Sequence, residues 1–269
     1  MEKRIKEKVE KYGKPLKEWD IQINYGIKTG FNDAFIIDGK TKDELVRKSP
    51  KSAEIIHPIL RGRDIDAYNI KFADLWLINT HNGIKEKQIP RVNVQKDYPD
   101  VFEHLLKYKS QLMARLDKGA DWSNLRNCAY VQEFLKPKII YPNMTKFLPF
   151  AYDNTGFYTN QKCYIITGMK LGYLTAFLNS SLFKFCFREN FPELLGGTRE
   201  LSKVFFEKIS VKPVSNELEH IFLQKINVIQ ELKKQNKETI EHEQEVERIL
   251  HSIYELDEME STIINNVVL

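Results

Sequence analysis

The chain has 269 residues, 42% hydrophobic and 29% charged, with a net charge of +4. That length suits one large domain or two small ones, with the composition of a soluble globular protein. No run of about 18 apolar residues occurs and the N-terminus is highly charged (Met1-Glu-Lys-Arg-Ile-Lys-Glu-Lys), so neither a membrane span nor a secretory signal is expected. Cys128, Cys163 and Cys186 are widely spaced and lack paired metal-ligand spacing, which suits a reducing cytosol and argues against zinc.

Charge is unevenly distributed. Ser215 to Leu269 holds 5 Lys+Arg against 12 Asp+Glu, a balance of −7; Met1 to Val214 therefore holds 36 against 25, or +11. A solvated surface is the plain reading. The sharper one is that the basic body faces a polyanion, with affinity drawn from phosphate neutralisation.

In chain order, Met1 to Tyr12 reads as a charged helix with a narrow apolar face (Ile5, Val9, Tyr12), stopped by Gly13 and Pro15. Trp19 to Asn24 alternates like a strand and leads into Gly26-Ile-Lys-Thr-Gly-Phe-Asn-Asp-Ala-Phe35, a glycine-flanked loop with donors suited to phosphates and base edges. A strand-like run to Asp38 follows, then a helix over Thr41 to Lys48 with Thr41 and Glu44 as a capping box. Ser52 to Ile56 is a second short helix, ended by Pro58. Ile59-Leu-Arg-Gly-Arg-Asp-Ile65 places two arginines around a glycine. They suit phosphate or guanine contacts, and an Arg–Asp pair that only shapes the loop weighs equally. Leu75 to Asn79 is a buried strand, and Tyr98 to Leu116 is expected as the longest helix of the body.

Lys136 to Pro142 is a strand with prolines at its margins, and Asn143-Met-Thr-Lys146 is a polar loop. Phe147 to Tyr152, a turn at Asp153 to Gly156, and Phe157 to Thr167 predict a hairpin. Leu171 to Arg188 is a helix with a broad apolar face, and Leu195-Gly-Gly-Thr-Arg-Glu-Leu201 is an exposed glycine loop. From Asn216, which forms a capping box with Glu219, three helices follow as a hairpin and a closing helix, the last capped by Asp257 and Glu260.

Catalytic sets are absent from the sequence. There is no Gly-x-Gly-x-x-Gly and no Gly-x-x-x-x-Gly-Lys-Ser/Thr. The Asn/Asp-Pro-Pro-Tyr/Phe tetrad of amino-methyltransferases is missing, and Asp100 with Glu103 lacks the lysine of a nuclease cluster. The six histidines are scattered, and His57 beside an apolar run reads as structural.

Six strings in order carry a resemblance: Gly26 to Asp38, Ile59 to Ile65, Lys136-Pro-Lys-Ile-Ile-Tyr-Pro142, Asn160-Gln-Lys-Cys-Tyr164, Tyr173 to Ser180 and Gly196-Gly-Thr-Arg199. Over Trp19 to Leu256 the chain resembles the TaqI-like C-terminal specificity domain, the target-recognition region of adenine-specific DNA methyltransferases and type IIG restriction–modification enzymes. The final helices resemble the spacer helices of type I specificity subunits.

The resemblance implies an α+β fold: a mixed, largely antiparallel twisted sheet with packed helices, followed by a C-terminal helical hairpin and closing helix. It implies three parts: residues 1–18 as a helix and linker from an upstream domain, 19–214 as the DNA target-recognition domain, and 215–269 as a helical segment. The upstream methyltransferase domain or subunit would bind S-adenosylmethionine and flip the adenine. This chain would hold no cofactor or metal, have no activity alone, and grip double-stranded DNA. Five loops (28–33, 61–64, 143–146, 160–162 and 197–203) would line one cleft. Lys28, Arg61, Arg63, Lys146, Lys162, Arg199 and Lys203 would meet phosphates. Thr29, Asn32, Asn143, Thr145 and Asn160 would read bases. The acidic helices would face away or pack on a partner. The competing reading is an assembly domain that docks a methyltransferase subunit or a second copy.

Overall fold

The structure is a computed structural model and describes residues 2–116, 118–119 and 121–266. Its centre is the Lys138–Pro142 stretch, which lies inside a four-stranded antiparallel sheet. Taking the principal elements in chain order, helix α1 is Glu2–Tyr12, strand β1 Ile21–Tyr25, β2 Ile36–Asp38, helix α2 Gly39–Lys48, β3 Ile56–Leu60 and β4 Leu75–Ile78. Helices α3 (Pro99–Leu106) and α4 (Lys109–Ala114) follow. Then come β5 (Lys138–Pro142), β6 (Met144–Thr145), β7 (Ala151–Asp153), β8 (Tyr158–Thr159) and β9 (Cys163–Gly168). The chain continues through α5 (Leu171–Asn179), α6 (Ser181–Phe187), β10 (Arg199–Glu200), α7 (Asn216–Lys234), α8 (Ile240–Ile253) and α9 (Glu258–Asn265).

The first sheet has the order β7-β5-β9-β1 and every pairing in it is antiparallel. The second has the order β8-β3-β4-β2, antiparallel except for the parallel β8–β3 pair. The expected mixed, largely antiparallel α+β fold is therefore the one observed. Successive residues of a strand point to opposite faces, and both faces of the first sheet are covered. Ile139, Tyr141, Tyr164 and Ile166 join a core with the C-terminal helices, whereas Ile140, Cys163 and Ile165 join a second core with the second sheet. Burial on both faces accounts for the continuous apolar character of β5 and β9.

α1 buries Ile5 and Val9 in the first core, and the two-residue strand Lys14–Pro15 pairs with Ser210–Val211. The apolar stripes of α7 (Phe222, Ile226, Ile229) and α8 (Val246, Leu250) enter the same core. The acidic helices thus bury their apolar stripes on the chain's own body.

Several local expectations are replaced. The region 98–116 forms two helices, broken where Tyr108 leaves the helical region and packs its ring on Phe31 and His104. Leu106 and Leu116 are exposed. The region 171–188 breaks at Ser180, whose hydroxyl donates to Phe177 O at 2.6 Å and accepts from Phe183 N at 3.0 Å. That side chain ends α5 and caps α6. The 147–167 hairpin does not form: β7 and β9 lie on opposite sides of β5, and β8 crosses to the second sheet. Two caps move. Asp38, not Thr41, caps α2 by accepting from Thr41 N, and Ser215, not Asn216, caps α7. Glu219 instead accepts from Gly172 N and Tyr173 N, capping α5 from another helix. The 52–56 helix is a 3-10 turn over Pro50–Glu54.

Lys138 is fully buried. Its Nζ donates to Asp153 Oδ2 at 2.5 Å and to Phe134 O at 2.7 Å. Asp153 also accepts from Thr155 N and Phe157 N, which shapes the turn that sends the chain to the second sheet. Burial pulls the Lys138 ammonium below its ordinary value while Asp153 opposes that shift. Removing one member of a buried pair strands the other charge, at about 3–5 kcal/mol. Lys138→Met should lower stability by about that amount in urea unfolding, and adding Asp153→Asn should recover part of it.

His57 stacks on Tyr158, and a ring nitrogen of His104 lies 3.1 Å from Ala34 O. Burial depresses the pKa of His57, His81, His104 and His251 below 6.5. The unfolded chain then binds more protons than the folded one as pH falls through 6.5. Stability from these groups should be present above pH 6.5 and decline as pH falls below it, as read by thermal melting across a pH series.

Candidate nucleic-acid interface

The two sheets are joined at Asn160. Its N–H donates to Leu60 O at the end of β3 (3.0 Å), and its O accepts from Cys163 N at the start of β9 (3.0 Å). Ile27, just past β1, donates to Thr159 O at 2.6 Å, and Gly26 donates to Cys163 O at 2.9 Å. Chain ends from both sheets therefore emerge side by side, and these ends are the loops with polar side chains. The crossing leaves no room for a side chain at 26: a Cβ there would lie 1.9 Å from the Asn160 carbonyl oxygen.

The Arg61-Gly-Arg-Asp64 turn is built on Asp64. This buried carboxylate accepts from Arg61 N (2.7 Å), Nε (3.0 Å) and Nη2 (2.8 Å). Bidentate pairing with Asp64 raises the Arg61 pKa, and the pair fixes the turn. Arg63 then projects into solvent. Of the two roles weighed for these arginines, loop-shaping falls to Arg61 and a free guanidinium to Arg63. Beside this turn, Asn143 N donates to Lys162 O (2.9 Å) and Asn143 O accepts from Leu201 N (2.8 Å), so the Asn143 backbone is held on two sides.

These three loops line one cavity of about 810 Å³. Arg61, Arg63, Asn143, Thr145, Asn160 and Lys162 stand on its wall. Lys184 of α6 and Lys233 of α7 complete it, and the sequence singled out neither. Asp66, the one acid on that wall among the described residues, is paired with Lys71. Lys233 is held by Glu243 at 2.8 Å. Burial lowers the Lys184 pKa, and Glu247 and Glu243 counter that effect. Arg63 and Lys162 are exposed and form no ion pair among the described residues.

The loop 28–33 forms a separate, smaller concavity with Arg126 and Gln161, on the far side of the 160–162 strand crossing. Lys28 is exposed, with its ammonium 5.2 Å from the Tyr25 ring centroid. Thr29 is buried and donates to Asn32 Oδ1 at 2.6 Å, so its hydroxyl shapes the loop instead of facing a base. Asn32 remains exposed. Arg115 anchors this loop: Nη1 donates to Thr29 O, and Nη2 to Trp122 O and Asn124 O, each at 2.7 Å. Gly30 has φ +75°, and a Cβ there would meet Arg115 Cδ at 2.8 Å. Nothing in the pattern around Arg115 marks it as an anchor, because these carbonyls are brought to it by the fold.

The loop 197–203 is not part of the cavity wall. Arg199 is buried, its guanidinium held by Glu189 (2.8 Å), Glu193 (2.9 Å) and Phe191 O (2.9 Å). The expected phosphate contact is corrected to a structural role that ties β10 to the 189–193 segment, while the Arg199 backbone pairs with Thr145 of β6. Lys203 lies 3.5 Å from Glu207 and borders a different depression, with Leu16 and Ile21. Lys146 is exposed beside the cavity. Asn160 is 7% exposed, and its side chain accepts from Lys162 N at 3.0 Å.

Residues 57–211, which hold the cavity's three loops and the Asn160 crossing, match the TaqI-like C-terminal specificity domain. The chain belongs to that family. The fold is also similar to two solved structures. The type IIL restriction-modification enzyme MmeI, solved in complex with DNA, aligns at TM-score 0.63 and 9% identity over 94% of this chain and 37% of that one. The type IIG restriction endonuclease BpuSI aligns at TM-score 0.55 and 13% identity over 84% of this chain and 28% of that one. This chain thus spans between about a quarter and two fifths of the length of those enzymes. No curated protein matches it.

A methyl group at residue 26 would force the strand crossing apart. Gly26→Ala should cost about 1–3 kcal/mol, the usual range for overpacking, in chemical unfolding, with backbone amide shifts concentrated at 26–28 and 159–163 in NMR spectra.

Proposed function

We propose that this chain is the sequence-reading module of a restriction–modification adenine-N6 methyltransferase or type IIG enzyme, and that it grips duplex DNA at the Arg61–Asn143–Lys162 cavity. The observation that carries the reading is a convergence on one wall, within a specificity-domain family fold. Cations that form no ion pair among the described residues stand there beside amide and hydroxyl side chains. Arg63, Lys162 and Lys146 supply phosphate contacts, which position the protein without reading sequence. Asn143 and Thr145 present donors and acceptors to base edges. Asn160 is mostly occupied in shaping the crossing and contributes at the margin. Lys28 and Asn32 extend the surface past the crossing.

Adenine methylation, the S-adenosylmethionine it requires and any cleavage would belong to a separate catalytic domain or subunit. The acidic outer faces of α7–α9 leave Ile221, Val228, Ile240 and Met259 exposed. These side chains favour a second role for the same module, docking on that catalytic part or on a second copy.

Binding to duplex DNA should weaken steeply with salt, in proportion to the phosphates neutralised. Arg63→Ala with Lys162→Ala should weaken binding to all sequences alike and reduce the salt slope by about 1 for each phosphate no longer neutralised. Asn143→Ala should instead change sequence preference, by about 1–3 kcal/mol for a base edge no longer read. Fluorescence anisotropy across salt concentrations and a randomised-duplex selection measure both. A flat salt response, or variants indistinguishable from the parent, would leave docking as the better reading.

A further inference from the structure

One wall of the cavity carries an apolar side chain with no packing role. Phe147 is 70% exposed, yet it lines the cavity beside Thr145, Lys162 and Arg63. An exposed phenylalanine is not informative alone; its mounting is. Leu148, the next residue, is buried and has φ +47°, a left-handed conformation disfavoured for a leucine. That kink turns Leu148 into the core and leaves the Phe147 ring outside. Such strain persists where surrounding structure over-determines it, and it concentrates at ligand sites. Phe147 N donates to Thr145 Oγ1 at 3.1 Å, and Thr145 is paired across the β6–β10 ribbon with the buried, doubly ion-paired Arg199. The ring therefore stands on a rigid mount at the edge of a cationic wall.

We propose that Phe147 is a wedge that enters between adjacent base pairs of the duplex held at this cavity. The proposal rests on the DNA-reading function above and deepens it: recognition would include deformation of the duplex as well as contacts to its edges. The cations that line the same cavity favour a nucleic acid over an apolar protein surface as the ring's occupant. Apolar side chains inserted at a base step unstack and kink DNA, and the cost depends on the step deformed. Phe147 would then contribute sequence preference at a step it does not hydrogen-bond.

The test compares binding of the whole chain to an intact duplex and to one with a single abasic site, and records 2-aminopurine fluorescence from a base placed along the intact duplex. A wedge gains wherever the bases are already unstacked. The parent chain should prefer the abasic duplex by about tenfold, because unstacking at that step is already done, and should brighten 2-aminopurine at one position. Phe147→Ala should lose the preference and the brightening while keeping its salt dependence and melting temperature. Phe147→Trp should retain both, and Met169→Ala, at an exposed apolar residue elsewhere, should change neither. A Phe147→Ala variant that keeps the preference overturns the wedge and leaves the DNA-reading function standing. A variant that keeps it but changes the sedimentation coefficient assigns the ring to a protein contact, which also overturns the wedge. Absence of duplex binding by the parent chain overturns both.

Discussion

The backbone crossing of residues 26–27 against 159–160 is the constraint on which the site depends. Each of two sheets needs its own hydrophobic faces covered, and at this one point their strand ends share hydrogen bonds. Asn160 serves β3 through Leu60 and β9 through Cys163, while Gly26 and Ile27 close the other side. A buried polar backbone needs every donor and acceptor paired, and at the crossing those pairs bridge the two sheets. The loops with amide and cationic side chains all leave from here. Their mutual placement is set by rigid strands.

Charge is used in two different ways within the basic body. Lys138 with Asp153, Arg61 with Asp64, and Arg199 with Glu189 and Glu193 serve shape: they hold a turn, a loop and the 189–199 segment. Such pairs contribute little net stability when buried, because desolvation offsets attraction, but they dictate geometry. Arg63, Lys162 and Lys146 are exposed and free of ion pairs among the described residues, so they are the ones able to release counterions from a polyanion. The positive balance of the body therefore overstates the charge available to a ligand.

The acidic C-terminal helices are part of this arrangement. They complete the core over one face of the first sheet, and Lys233 of α7 reaches the cavity wall while held by Glu243 of α8. Glu219 caps α5 across the helix interface. A segment that looked separable by composition is thus bonded to the sheet it covers.

The family, the α+β class, most strands and the three last helices were legible in the sequence, because apolar periodicity, glycine strings and the Asp257–Glu260 cap are local signals. So were three of the loops that meet at the cavity. Tertiary structure decided the rest. The long helices at 98–116 and 171–188 broke where a ring or a hydroxyl found partners outside the expected pattern. The 147–167 hairpin gave way to strands on either side of β5, with Asp153 of β7 paired to Lys138 of β5 and β9 on the other edge. Side-chain identity marked Arg199 and Thr29 as ligand contacts, and only burial showed that their polar atoms are consumed internally. Lys184, Lys233, Arg115 and Phe147 carried no local signal at all. Their roles arise from what the fold places next to them, and spacing along a chain does not encode such neighbours.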